Sequence, residues 1–218
     1  MEETETTHTL DLDAAFSWMK GWRHSSTWLY LVMLISSAVA LFASFVLSAD
    51  TLYIARHPNA RLGCDISGVI SCTQVAQSWQ AELLHLGKLS IPNAFLGIAA
   101  ESVFVTMAVI GLTKMTQPRW LAFCTWLGGA AALCYSLWLS SQSVFVIGAL
   151  CPWCMTLLFS TLIQFMALSH ATVTVQHLPH RGFLSGYYRP NLDLMVDILV
   201  VLALVAVVLI HDGPRLFA

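Results

Sequence analysis

The stretch 149–158, "ALCPWCMTLL", sets Cys151 and Cys154 three positions apart at the opening of a long apolar run. Pro152 suits the first position of a helix, where its missing N–H leaves no bond unmade, and this places Cys151 near the N-cap. A thiolate there meets the positive end of the helix dipole, so its pKa is expected below that of a free thiol. Cys154 falls one turn deeper, within reach of Cys151 for a disulfide and pointing into an apolar layer. The chain is thus expected to carry a reactive cysteine pair at the head of a membrane-crossing helix.

The rest of the chain supports a membrane reading. With 57% hydrophobic and 10% charged residues over 218 positions, too little polar surface exists to cover a water-soluble globule. The net charge of -2 comes without a basic patch or a long acidic run, which excludes an electrostatic case for nucleic acid as a partner. Spanning a hydrocarbon core of roughly 30 Å takes about 20 apolar residues. Five stretches qualify: Trp28 to Ala49, Ile91 to Thr113, Trp120 to Ile147, Cys151 to Leu168, and Leu192 to Ile210. The last is the weakest, because Asp193 and Asp197 interrupt it.

The expected fold is therefore an all-α integral membrane protein, a four-helix transmembrane bundle plus a fifth transmembrane helix. Residues 1–27 are polar and begin acidic, the wrong order for a cleaved secretory signal, and read as a cytoplasmic tail. The catalytic bundle is expected over 28–170, a cytoplasmic linker over 171–191, and the fifth helix with a short outer C-terminus over 192–218. Placing the N-terminus inside puts Lys20, Arg23, Lys114, Arg119, Arg181 and Arg189 in the cytoplasm, and Arg56, Arg61, Lys88 and Arg215 outside. That is the positive-inside sense.

In this orientation Cys64 and Cys72 of the first outer loop share the outer, oxidising face with Cys151 and Cys154. Cys124 and Cys134 lie inside the third span and read as small buried residues. The loop sequence "CDISGVISC" spaces Cys64 and Cys72 eight apart around Gly68, which allows a bond there to open and close without disturbing a helix. Two exchangeable pairs on one face suggest a relay, in which a thiolate of one pair attacks the disulfide of the next. A structural disulfide pair, or a scaffold holding zinc on the four outer cysteines, is the other chemistry such residues serve.

After Cys72, "TQVAQSWQAELLHLGKLS" places Val75, Ala76, Trp79, Leu83 and Leu86 at helical spacing among Gln74, Gln77, Gln80 and His85. It is expected as one short amphipathic helix lying at the interface over the bundle. Pro92 then starts the second span, with Asn93 just inside the apolar zone, where a buried amide needs a partner in the protein or on a ligand carbonyl. Glu101 lies about 12 Å further down the same helix and is rotated about 80° from Asn93, so the two need not face one cavity. An ionisable group at that depth is a candidate for proton handling, or for a hydrogen bond to another span.

Cys64, seven intervening residues, Cys72, a serine six further on at Ser78, an asparagine opening the next span at Asn93, and CxxC at Cys151 and Cys154 form a combined motif. In this the chain resembles the vitamin K epoxide reductase family, in its bacterial branch, over roughly residues 28 to 170. The resemblance implies a four-helix bundle around a quinone of the menaquinone, ubiquinone or vitamin K type, with no metal. Electrons would pass from a thioredoxin-fold, DsbA-like partner to the loop cysteines, then to CxxC, then to the quinone. By position, Cys64 would meet the partner, Cys72 would exchange with Cys151, and Cys154 would face the quinone. Asn93 would hydrogen-bond a quinone carbonyl, with Ser78 and Trp79 beside it. The chain reaches Ala218 with no fused thioredoxin-like domain, which implies a separate partner. Leu158 stands where vertebrate members carry a tyrosine, which argues against the alternative of a vitamin K epoxide or quinone reductase in an endoplasmic-reticulum membrane. The implied location is a bacterial inner membrane, with the site on the periplasmic face.

Overall fold

The computed structural model describes residues 25–82, 84–86, 89–115, 117–176, 187–188 and 192–216, with the backbone alone for 84–86, 89 and 216. In chain order the elements are α1 (Ser26–Arg56), α2 (Cys72–Ala76), a 3-10 turn (Trp79–Ala81), β1 (Leu84–Leu86), β2 (Leu89–Ile91), α3 (Asn93–Leu112), α4 (Arg119–Gln142), a π turn (Ser143–Ile147), α5 (Pro152–Thr174) and α6 (Leu192–Leu216). Among the described residues, five helices are long and apolar enough to cross a membrane: α1, α3, α4 with its π turn, α5 and α6.

Each helix starts where local chemistry allows it. The Ser25 hydroxyl accepts the Trp28 N–H at 3.1 Å to cap α1, and Pro92 and Pro118 stand immediately before α3 and α4. Several serines and threonines inside these apolar helices bond back to carbonyls one turn earlier, as Ser48 does to Ser44 at 2.8 Å and Thr161 to Leu157 at 2.8 Å.

α1 packs between α3 and α5, α5 carries α4 on its other side, and α3 meets α4 only lightly. Small buried residues on α1, among them Ser37, Ala40 and Ser44, let its neighbours approach. Opposite Ser44 sits Gly97 of α3, where a Cβ would stand 2.6 Å from the serine hydroxyl. At the end of the bundle near Tyr30, the core is filled by Leu29, Tyr30 and Met33 against Phe104, Met107 and Ala108, with Ala167, Leu168 and Ala171 of α5.

The structure differs from the expected elements in four respects. α1 runs past Ala49 to Arg56, carrying Asp50 and Thr51 beyond the expected loop boundary, and α5 runs past Leu168 to Thr174. The single amphipathic helix is instead α2, a 3-10 turn and a β1–β2 hairpin, because the Ser78 hydroxyl donates to the Val75 carbonyl at 2.7 Å and closes the helix there. Cys124 and Cys134 are exposed on α4 rather than buried. Asp193 does not weaken the fifth span, since it is buried against His170 of α5 at 2.6 Å and pins α6 to the bundle. The expected tail up to residue 24, and most of the linker, including Arg181 and Arg189, lie outside the described residues.

Candidate redox site

The first outer loop is held in shape by one carboxylate. Asp65 accepts from the Ser71 hydroxyl at 3.1 Å, the Thr73 N–H at 3.1 Å and the Thr73 hydroxyl at 2.6 Å. Burial is the largest single influence on Asp65 and pushes its carboxyl up, yet these bonds and the Cys72 N–H together outweigh it and hold the group below the usual carboxylate range. Within the loop so formed, Cys64 and Cys72 are joined as a disulfide with Cα atoms 5.8 Å apart. Cys72 is the first residue of α2 and is 2% exposed, whereas Cys64 is half-buried beside exposed Gly63 and Ile66.

A second device docks this loop on the bundle. The α4 helix ends in a π turn, closed by the Gly148 N–H bonding the Ser143 carbonyl at 3.0 Å. Gly148 has φ +69°, a left-handed conformation that glycine adopts without strain and that turns the chain toward Leu150. Leu150 then pairs in parallel with Ile70: its N–H reaches the Val69 carbonyl at 2.7 Å, and its carbonyl accepts the Ser71 N–H at 3.1 Å. Because Leu150 and Ser71 directly precede Cys151 and Cys72, this short ladder brings the two cysteines together.

Cys151 Sγ lies 3.6 Å from Cys72 Sγ, and both are buried. Cys151 is the N-cap of α5, with Pro152 in the first turn, and its sulfur accepts the Cys154 N–H at 3.3 Å. The Cys154 side chain, then the N–H groups of Cys154 and Trp153, hold the Cys151 thiol below its ordinary range, against burial and the nearby Asp50 carboxylate. With the loop pair oxidised and Cys151 and Cys154 free, a thiol-disulfide exchange needs only a short approach of two sulfurs already in contact.

Directly beneath lies a cavity of about 430 Å3 whose wall includes Cys72, Cys151, Cys154, Ser78, Asn93 and Glu101. Its size falls in the range of small-molecule sites, and its wall is largely apolar with a few polar groups. Asn93 and Glu101, rotated apart on α3, both reach it because the cavity runs along that helix through Gly97. The Asn93 amide donates to the Gln80 carbonyl, tying α3 to the 3-10 turn of the loop. Glu101 is 3% exposed and neighbours Gln164 of α5, and its Oε2 and both polar atoms of the Gln164 amide make no hydrogen bond among the described residues.

Trp79 does not join this group: it is 65% exposed and stands edge-on to Trp138 with ring centroids 6.3 Å apart. Leu158 also turns away from the cavity, into a crevice shared with Leu204, Val207 and Val208 of α6. Sequence reasoning missed Asp50 and Tyr135 as cavity residues and Asp65 as the loop's organiser. Asp65 was detectable, because an aspartate beside a cysteine and followed by Ser71 and Thr73 is a local turn-forming set. Asp50 and Tyr135 gave no such sign, since which face of α1 or α4 is inward depends on packing.

No curated protein matches the chain. The model of the Vitamin K epoxide reductase family matches residues 31–169, more than half of the sequence and all four cysteines of the two pairs. Two cysteine pairs in contact at the head of a membrane-helix bundle, together with that match, show that the chain belongs to the Vitamin K epoxide reductase family and is a membrane oxidoreductase.

Proposed function

We propose that the protein reoxidises a separate, thioredoxin-fold disulfide-forming partner and passes the electrons to a membrane quinone, working on the periplasmic face of a bacterial inner membrane. The observation that carries this reading is the 3.6 Å contact between Cys72 and Cys151 in the wall of a largely apolar cavity. It links a half-exposed disulfide, which a protein can reach through Cys64, to a site that a lipid-soluble acceptor fits. The light contact between α3 and α4 offers such an acceptor a route from the bilayer.

The electrons balance in three steps. A partner dithiol reduces the Cys64–Cys72 bond and leaves as a disulfide. The Cys72 thiolate then attacks Cys151 of a Cys151–Cys154 disulfide, Cys154 departs as thiolate, and Cys64 attacks Cys72 to release Cys151. Two electrons now rest on Cys151 and Cys154, the distribution seen here, with the loop pair oxidised and the CxxC pair reduced. Transfer of those electrons to a quinone yields quinol and restores the Cys151–Cys154 bond.

Asn93 and Ser78 supply polar contacts at the rim nearest the sulfurs, with Trp79 contributing only to the outer surface. Quinol formation consumes two protons. Cys154 carries one as a thiol, and Glu101, the carboxyl in the deeper wall of the same cavity, is the group that supplies the second. A zinc-holding role is disfavoured, because Cys64 and Cys72 are bonded to each other and present no thiolate to a metal. The test is quinol formation by the purified protein in lipid, driven by a reduced thioredoxin-fold donor. Turnover that requires all four cysteines supports the reading, and a protein inert to every quinone class with its donor saturating overturns it.

A further inference from the structure

The cavity holds one polar group that the relay leaves unused. Tyr135 projects from α4 into the wall shared with Cys151, Cys154 and Asn93. Its hydroxyl is buried and makes no hydrogen bond of ordinary geometry among the described residues, although the Asn93 side chain is its polar neighbour. The ring is held in place by Trp138, stacked at 5.8 Å between centroids with the planes 25° apart. Trp138 in turn meets Trp79 of the loop. A buried hydroxyl without a partner is costly, and the cost is removed when a bound molecule supplies the acceptor.

The Asn93 amide already gives one of its two N–H groups to the Gln80 carbonyl. We propose that Tyr135 is a further substrate-contact residue, its phenol donating to the same quinone carbonyl that Asn93 meets. The inference rests on the quinone reading above. A phenol suits this position because it donates to the carbonyl of the oxidised substrate and accepts from the hydroxyl of the reduced product, so one side chain serves both.

The experiment compares wild type with Tyr135→Phe, which keeps the ring and its stack on Trp138. Equilibrium binding is measured for a short-chain naphthoquinone and for a naphthalene of the same substituents without carbonyls. The variant is expected to bind the quinone roughly 5- to 100-fold more weakly, the size of one buried hydrogen bond, and to bind the carbonyl-free probe as wild type does. Its KM for quinone should rise, while Cys72–Cys151 exchange measured without quinone stays unchanged. Equal quinone binding by the two proteins overturns the proposal, as does an equal loss for both probes, which marks a role in cavity shape alone. Failure of wild type to bind or reduce the naphthoquinone is a separate result that overturns the quinone reading itself.

Discussion

At the Tyr30 end of the bundle, α1, α3 and α5 close on one another through Tyr30, Met33, Phe104 and Met107, whose side chains fill the space between them. At the cysteine end the same three helices, now with α4, line a cavity of about 430 Å3. The difference is one of side-chain size and of what covers each end. Gly97, Ala94 and Ala100 face the cavity from α3, whereas one and two turns further along that helix Phe104 and Met107 fill the core. The hollow end holds its form through the loop, by Asp65 within it and the Ile70–Leu150 pairing beneath it. One bundle thus has an end that supplies stability and an end that supplies chemistry.

Substitutions at either end test this division. The largest effect is expected at Cys151 and Cys154, where replacement of either by Ala should reduce quinol formation to background while leaving the thermal midpoint close to wild type. An active Cys154→Ala protein, assayed by quinol absorbance with saturating donor, would mean the cavity is served by another sulfur. At the filled end the pattern should reverse. Phe104→Ala should lower stability by about 3 to 5 kcal/mol, the usual cost of emptying an aromatic core site, with the activity of the molecules that remain folded little changed. Thermal unfolding in lipid alongside kcat per folded protein checks this.

Asn93 joins the two features of the hollow end, because it lines the cavity and ties the loop to α3. Asn93→Ala should weaken quinone use by about 1 to 3 kcal/mol, and Asn93→Asp should not restore it, since a carboxylate offers an acceptor to a carbonyl. The quinone dependence of initial rates distinguishes these outcomes.

The smallest effect is expected at Asp65, whose site is only partly buried. Its carboxyl is held below the ordinary range near 4, so its contribution to loop stability is complete above that range and is lost as the pH falls through the lower folded value. Asp65→Asn should therefore remove up to about 1 kcal/mol at neutral pH, solvent screening included, and flatten the acid limb of loop protection. Hydrogen exchange of residues near Thr73 between about pH 2 and pH 5, a window that runs from the ordinary carboxylate range to below it, reads that limb directly.

The ends were not equally legible in the sequence. Five apolar runs fixed the helices to within two turns, because bilayer thickness sets their length whatever they pack against. Cys151 at an N-cap followed from Pro152 alone, and it is there. What failed depended on packing. The amphipathic pattern after Cys72 ignored the Ser78 hydroxyl that ends the helix, and the placement of Cys124 and Cys134 ignored which face of α4 is turned outward. Tyr135 could not be selected from the many apolar-span aromatics, since nothing in a continuous apolar run says which residue is inward.

The account rests on the contact between Cys72 and Cys151, and one measurement addresses it without any quinone or partner. In a Cys64→Ala, Cys154→Ala double variant, neither resolving thiol remains, so the two sulfurs that stand 3.6 Å apart have no other member of the relay to bond. Mild oxidation followed by digestion without reduction and mass spectrometry should recover a peptide containing Cys72 linked to one containing Cys151. Recovery of both cysteines as free thiols, in a protein that still folds in lipid, would contradict the exchange on which the relay depends.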